Sequence, residues 1–519
     1  MRTAGVVRVL TIAVSLMVST SGQAQSGRAL LSGAPTPERT LIRHASVLDG
    51  TGAAPRIADV RIVGDRIDGI GTLAPSATER IIEARGKTLA PGFIDTHSHH
   101  SRGLSDQRDA LAAVSQGITT IVVGQDGSSA MPLADFFSRL DRDPAAVNVA
   151  SYAGHGTIRN RVMGADFKRH ATPEEVDRMA ALLRTDLGAG ALGLSTGLEY
   201  DPGIYSAPDE VVALARVAAA SGGRYISHIR SEDRTFWRAV DEVIAIGREA
   251  RLPVQISHVK LAMHGLWGQA GKLVEVLDRA RAAGVNVTAD IYPYPYWHSG
   301  ITVLFPNRDF ANRAEAELVV KEVVTPPDLL ITRFEPNPAY AGKTLAQIAA
   351  LRGSDAADAL MAIIKEGEAR GVDAGVIATS MDERDIARLM RWPFTNICTD
   401  GELAGPHPRG FGSFPRVLGK YVRAQHVVPL AEAVRKMTSL SAANVGIAGR
   451  GTIAPGRYAD LVLFDPKTIV DRATTTSPHA MSVGIETVWV NGEVVFTNGA
   501  ATGKYPGKVI RRRTDDGGK

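Results

Sequence analysis

Between Thr40 and Leu89 the apolar residues come in short alternating pieces, such as Val60-Arg61-Ile62-Val63 and Arg66-Ile67-Asp68-Gly69-Ile70, broken by Gly and Asp. Alternation with a period of two, bounded by turn residues, predicts hairpin strands. The same signature returns near the other end, in Ala459-Asp460-Leu461-Val462-Leu463-Phe464 and Val488-Trp489-Val490-Asn491-Gly492-Glu493-Val494-Val495. The two ends, 38–90 and 448–519, are therefore expected to pair into one small β-sandwich domain. Between them the pattern changes to short apolar strands alternating with helical stretches, which predicts βαβ units and a parallel sheet. The strand candidates are 92–99, 119–124, 148–154, 191–197, 224–229, 254–259, 285–293 and 394–401, with helical stretches such as 208–220, 236–250 and 272–283 between them. Eight such units make a TIM-type (β/α)8 barrel of the α/β class over 91–447. About a hundred residues separate the last two candidates, against ~30 for an ordinary βα unit. That interval predicts an insertion around 300–390, in which Ala374-Gly375-Val376-Ile377-Ala378-Thr379 reads as a strand outside the barrel.

The length of 519 residues exceeds what one hydrophobic core usually supports, in keeping with more than one domain. With 44% hydrophobic and 22% charged residues, the chain is neither fibrous nor disordered. At the start, Arg2 and Arg8 flank an apolar run from Val9 to Val18, followed by Ser-Gly-Gln-Ala. That order is a signal peptide over 1–24, and its run is shorter than the ~20 residues that span a bilayer. A periplasmic or secreted protein with no membrane span after cleavage is expected. Cys398 is the one cysteine, so no internal disulfide forms. A formal charge of +4 gives no reason to expect a polyanionic partner, and the basic run Arg511-Arg512-Arg513 reads as a solvated tail rather than a nucleic-acid surface. A small-molecule substrate fits better; the oligomeric state is not legible.

Two short motifs fail on context. Gly188-Ala189-Gly190-Ala191-Leu192-Gly193 matches a dinucleotide fingerprint but runs from helix to strand, the reverse of what a pyrophosphate needs. Gly193-Leu194-Ser195-Thr196-Gly197 matches the nucleophile elbow of serine hydrolases, yet Tyr200-Asp201-Pro202-Gly203 interposes a loop where an elbow turns straight into a helix.

A different group of residues converges. In Asp95-Thr96-His97-Ser98-His99 the two imidazoles lie two residues apart at the end of a strand candidate, so they face the same way. Tyr225-Ile226-Ser227-His228 and Gln255-Ile256-Ser257-His258 repeat one ending on consecutive strand candidates, which places His228 and His258 side by side. Ile397-Cys398-Thr399-Asp400-Gly401 sets a carboxylate at the tip of the last strand. Neutral imidazole is the commonest zinc ligand, and the C-terminal tips of barrel strands are where barrel enzymes keep their chemistry.

Paired histidines on the first strand, single ones on the fifth and sixth and Asp on the eighth resemble the amidohydrolase superfamily. Within it the chain most resembles the N-acyl-D-amino-acid deacylases, or D-aminoacylases. The matching pieces include Gly197-Leu198-Glu199-Tyr200, Ser227-His228-Ile229-Arg230, Ser257-His258-Val259-Lys260, Asp290-Ile291-Tyr292-Pro293-Tyr294, His407-Pro408-Arg409-Gly410 and Arg435-Lys436-Met437-Thr438. The resemblance implies hydrolysis of N-acyl-D-amino acids by a metal-activated water, with one or two Zn2+ ions, or another divalent metal, held by His97, His99, His228, His258 and Asp400. Asp400 would also carry the proton. Lys260 and Arg409, with Tyr200 and Tyr292, would receive the substrate carboxylate, whereas Arg230 fits an ordinary salt bridge equally well. A cyclic amide, a dipeptide or another carboxylate-bearing amide is the alternative substrate. One turn departs from the family: where it carries Gly-Asn-Cys-Gly with a metal-bridging cysteine, this chain has Gly124-Gln125-Asp126-Gly127. Asp126 takes the cysteine's place, and a carboxylate is a harder ligand than a thiolate, which widens the choice of metal.

Overall fold

The computed structural model describes residues 38–512. The expected signal peptide and Arg513 lie outside them.

Strands from the two ends pair into one nine-stranded sheet. Arg39–Val47 pairs antiparallel with Arg56–Val63, which turns back into Arg66–Gly71, as the alternation predicts. Arg80–Glu83 and Thr88–Pro91 instead run parallel to Arg39–Val47, so this part is not a chain of hairpins. The two ends of the chain meet where Leu461–Phe464 pairs with Thr88–Pro91. The sheet curls round its own core of Ile42, Val60, Ile67, Leu461 and Trp489, and Ile67 N donates to Arg457 O where its far edge comes back on itself.

A parallel strand forms at each of the eight predicted intervals, one of them starting a residue early at Ile118: β1 (Phe93–Asp95), β2 (Ile118–Val123), β3 (Asn148–Ser151, continued as Ala153–Gly154), β4 (Gly193–Gly197), β5 (Arg224–His228), β6 (Val254–Ile256), β7 (Val287–Ile291) and β8 (Thr395–Ile397). β2 is buried along its whole length, as a strand covered on both faces should be. The helices between the strands bury one stripe each; Phe236–Ala250 turns Phe236, Ala239, Val240, Val243 and Gly247 inward. The strands order as β1-β2-β3 in one sheet and β8-β7-β6-β5-β4-β3 in another, the latter holding the second piece of β3. Beyond the formal strands, Leu192 N donates to Ser151 O, Asp400 N to His97 O and His99 N to Gly401 O, at 2.8 to 2.9 Å.

The decoy motifs resolve as their context predicts. Gly190, at φ 111°, ends the helix Pro173–Ala189 and turns the chain into β4. Ser195 is buried within β4, where its hydroxyl accepts from Gly127 N at 3.0 Å. The run at 374–379 lies outside the parallel strands: Gly375–Thr379 pairs antiparallel with Tyr296–Gly300 and Leu329–Arg333 in a sheet of its own.

The C-terminal basic run is not a solvated tail as far as it is described. Ile510 N donates to Val149 O and Arg512 N to Gly190 O, while Arg511 pairs with Asp141 at 2.5 Å. The backbone beside β3 captures this segment, which charge alone does not reveal. Nearby, a polar cluster joins the terminal sheet to the parallel strands. Buried Asp460 accepts from Arg450, from Asn491 N at 2.7 Å and from Asn148 Nδ2 at 3.1 Å; Arg450 also reaches Asn491 Oδ1 at 2.8 Å. No helix among the described residues is long and apolar enough to cross a membrane.

Candidate metal centre

All six predicted ligands meet at the C-terminal tips of the strands, His228 as the last residue of β5 and the others beyond their strands' ends. The chain holds them there by cross-links between neighbouring tips. Asp95, buried at the end of β1, accepts from Thr399 N at 2.9 Å and Thr399 Oγ1 at 2.5 Å, which fixes the turn carrying Asp400. Asp290, on β7, accepts from His258 N and from Gln255 Nε2, both at 2.5 Å, and from Cys398 Sγ at 3.2 Å. Cys398 is thus a buried donor to a supporting carboxylate. Gln125 ties the Gly124–Gly127 turn to Thr96 O at 3.0 Å. Gly197 is needed where that turn packs on β4, because a Cβ there would stand 2.3 Å from Asp126 O.

Three of the six, Asp126 (φ 52°), His258 (φ 32°) and Asp400 (φ 50°), lie in the left-handed region. For residues with a Cβ this region costs about 1–3 kcal/mol each, and such strain clusters at functional sites.

The ligand atoms share their neighbours. His97 Nε2 lies 3.4 Å from Asp126 Oδ1 and 3.5 Å from Asp400 Oδ1. His99 Nε2 lies 3.2 Å from Asp126 Oδ2 and 3.3 Å from Asp400 Oδ1. His258 Nε2 is 3.4 Å from Asp126 Oδ1, and His228 Nδ1 is 3.1 Å from His258 Nε2. Asp126 therefore belongs to both groups, one with His97, His99 and Asp400 and one with His228 and His258. Ligands of a tetrahedral ion with ~2.1 Å bonds stand ~3.4 Å apart, the spacing found here. His97 Nδ1, His97 Nε2 and Asp126 Oδ1 are buried without hydrogen-bond partners, and buried polar atoms in that condition call for a ligand. The donor set of imidazoles and carboxylates fits a divalent metal.

The electrostatics agree. Burial opposes ionisation of Asp126, but His97 and His258 outweigh it and hold its carboxyl well below the usual range. Burial likewise opposes charge on His99, yet Asp126 and Asp400 raise its pKa to about 9. Positive charge is stabilised at this point, on protons or on a metal.

Two carboxylates absent from the predicted set stand behind the histidines. Glu199 accepts from His228 Nε2 at 2.8 Å, leaving Nδ1 for the centre. Glu232 faces His258 Nδ1 at 3.1 Å. Their signal in the sequence is an acid just beyond a strand tip, at Leu198-Glu199 and Ser231-Glu232. Lys260 donates to both oxygens of Glu232, at 2.6 and 2.7 Å, and stands 2.8 Å from His258 Nδ1. Its amine is thus occupied and not free to receive the substrate carboxylate, the role that the resemblance implies for it. Arg409 Nη1 pairs with Asp400 Oδ2 at 2.6 Å, but its Nε has no partner. Tyr292 lies between these cations, its ring 5.8 Å from Lys260 Nζ and 4.9 Å from the Arg409 guanidinium, and its buried hydroxyl is also unpartnered. The Tyr200 ring lies 4.4 Å from that of His228. Arg230 makes the ordinary salt bridge, bidentate to Glu242 at 2.8 and 2.9 Å.

A cavity of about 360 Å³ opens over this cluster, and the insertion forms its far wall with Trp297, His298, Val303, Leu304 and Val323.

A family model for the amidohydrolase family matches residues 80–392 and 331–496. An N-acyl-D-glutamate deacylase of Alcaligenes xylosoxydans xylosoxydans is 38% identical over 91% of this chain and 96% of its own length. A solved N-acyl-D-glutamate deacylase of Bordetella bronchiseptica, bound to zinc and a phosphonate mimic of the tetrahedral intermediate, is 38% identical, with a TM-score of 0.82 over 92% of this chain and all of that one. A solved D-aminoacylase, studied for one-metal activation and second-metal attenuation of its binuclear centre, is 36% identical with the same TM-score and coverage.

Proposed function

The chain belongs to the amidohydrolase family, and on that premise we propose that it is a zinc-dependent N-acyl-D-amino-acid deacylase, releasing a carboxylate and a free D-amino acid. The observation that carries the reading is the cluster of His97, His99, His228, His258, Asp126 and Asp400, with its unpartnered buried atoms and imidazole-to-carboxylate distances of 3.2 to 3.5 Å. The names of the relatives supply the substrate class.

His97, His99, His228, His258, Asp126 and Asp400 would hold a divalent ion, which when bound would supply polarisation of an amide carbonyl and a water with its pKa lowered towards ~7. Asp400 takes the proton of the attacking water and returns it to the leaving nitrogen, the work of a positioned general acid and base. Arg409, at 2.6 Å, favours the ionised form that Asp400 needs to start. Glu199 orients His228 and fixes its tautomer, and Glu232, accepting from His258 Nδ1 and itself held by Lys260, does the same for His258. Tyr292 Oη and Arg409 Nε offer two free donors to one carboxylate, with the charge of Lys260 beside them, while Tyr200 closes the site over His228.

We infer too that the two parallel sheets are arcs of one eight-stranded barrel, a reading supported by the hydrogen bonds from Leu192 to Ser151 and from Asp400 to His97. Residues 38–90 and 448–512 would then form the attached β domain. Export to the periplasm or beyond through the leader at 1–24 is part of the proposal, supported by the arrangement of Arg2, Arg8 and the apolar run.

The test is hydrolysis of N-acetyl-D- and N-acetyl-L-amino acids by zinc-reconstituted protein. Turnover of D substrates is expected; turnover of L substrates alone, or of cyclic amides alone, assigns the site to the alternative.

A further inference from the structure

The relatives differ in the side chain they accept, and the cavity wall of this chain bears on that choice. Resting on the deacylase reading, we propose that the accepted amino acid carries an uncharged, apolar side chain seated against Trp297, Val303, Leu304 and Val323, and that acidic side chains are turned away.

Charge pairing is the first argument. Arg102, Lys260 and Arg409 line the cavity. Each is already held by a carboxylate: Arg102 by Glu402 at 2.7 Å, Lys260 by Glu232 and Arg409 by Asp400. Glu199, Asp201, Asp233 and Glu402 add further negative charge to the lining, beside Asp126, Glu232 and Asp400. Among the buried cationic donors of that lining in the described residues, Arg409 Nε is left without a partner, and the buried hydroxyl of Tyr292, whose ring lies 4.9 Å from that guanidinium, is unpartnered too, which suits a single carboxylate. Every N-acyl amino acid brings that one. A second carboxylate would enter a lining in which acids outnumber the Arg and Lys side chains and each of those cations already answers one of them, and an unpaired charge withdrawn from water is strongly disfavoured.

The wall itself is the second argument. Leu304 and Val323 are buried and Val303 half-buried, and Arg234 pins this turn by donating to Leu304 O at 3.1 Å. The indole of Trp297 has its N–H satisfied by Ser380 Oγ at 2.8 Å, so what remains for a ligand is ring surface. His298 interrupts the wall; burial, followed by repulsion from Arg409, lowers its imidazole to about 4, which makes it neutral at physiological pH. A pocket of this kind rewards buried apolar area.

The experiment compares kcat/KM of the zinc-reconstituted full chain for N-acetyl-D-leucine, -D-methionine and -D-phenylalanine with that for N-acetyl-D-glutamate and -D-aspartate. The apolar group is expected to lead by about 100-fold or more, the scale on which a site with mismatched polar groups discriminates. In Val303→Lys, which sets a cation on the half-buried part of the wall, acidic substrates should gain at least ~10-fold and apolar ones lose. Acidic substrates equal to or better than apolar ones in the unaltered protein would overturn the inference and leave the deacylase reading standing. A Val303→Lys protein that changes both groups alike would remove the wall from the side-chain site. Failure to hydrolyse any N-acyl-D-amino acid with full metal content would overturn the deacylase reading, and the inference with it.

Discussion

Two buried polar clusters in this molecule are both organised round aspartate and end in opposite states. At the joint with the terminal sheet, Asp460, Arg450, Asn491 and Asn148 satisfy one another. At the strand tips, His97 and Asp126 leave buried atoms unpartnered, and Asp126, His258 and Asp400 hold left-handed backbone. The satisfied cluster has its final partners and acts as a joint. The unsatisfied one costs stability that its surroundings must supply, and keeps its lone pairs for something that arrives later.

Variants separate the two. Asp400→Asn should lower kcat by about 10³-fold with folding intact, because an amide cannot carry the proton between water and leaving nitrogen; steady-state kinetics and circular dichroism check it. Ser195→Ala, by contrast, removes one hydrogen bond to Gly127 N and should cost about 1 kcal/mol of stability, with turnover nearly unchanged. A lethal Ser195→Ala beside an active Asp400→Asn would bring back the serine-hydrolase reading.

Asp126→Ala comes next. It removes the carboxylate common to both ligand groups, so metal retained through dialysis and activity should fall together, and Asp126→Cys should restore part of both. Full metal content in Asp126→Ala would point instead to a single working metal held without this carboxylate. Glu199→Gln should do less, weakening metal retention about 10- to 100-fold through loss of the orienting bond to His228.

The smallest effect on turnover is expected at the other cluster. Arg450→Ala strands Asp460 in a buried position and should lower unfolding free energy by about 3–5 kcal/mol in urea titrations. Metal content and KM below the transition should not change. An Arg450→Ala protein that loses metal would break the distinction between the two clusters.

The sequence foretells most of this and misses a definable part. The intervals of all eight parallel strands are legible because each is a short apolar run closed by Gly or a polar tip, and His97, His99, His228, His258 and Asp400 are legible because they repeat at those tips. What is not legible comes from contacts distant along the chain. Glu199 and Glu232 acquire their roles only when β4, β5 and β6 lie side by side, and Lys260 is occupied by an acid 28 residues away. The docking of Arg511 on Asp141 spans 370 residues. The apolar wall of the cavity is hidden in an insertion whose periodicity shows a strand but not what it faces.

The most direct test of the central claim is elemental analysis of the purified protein, paired with an amide-hydrolysis assay before and after chelation. About one to two divalent ions per chain are predicted, zinc foremost, as four imidazoles and two carboxylates allow. Activity should vanish on chelation and return with added metal. Protein that contains no transition metal and hydrolyses its substrate undisturbed by chelator would contradict the account.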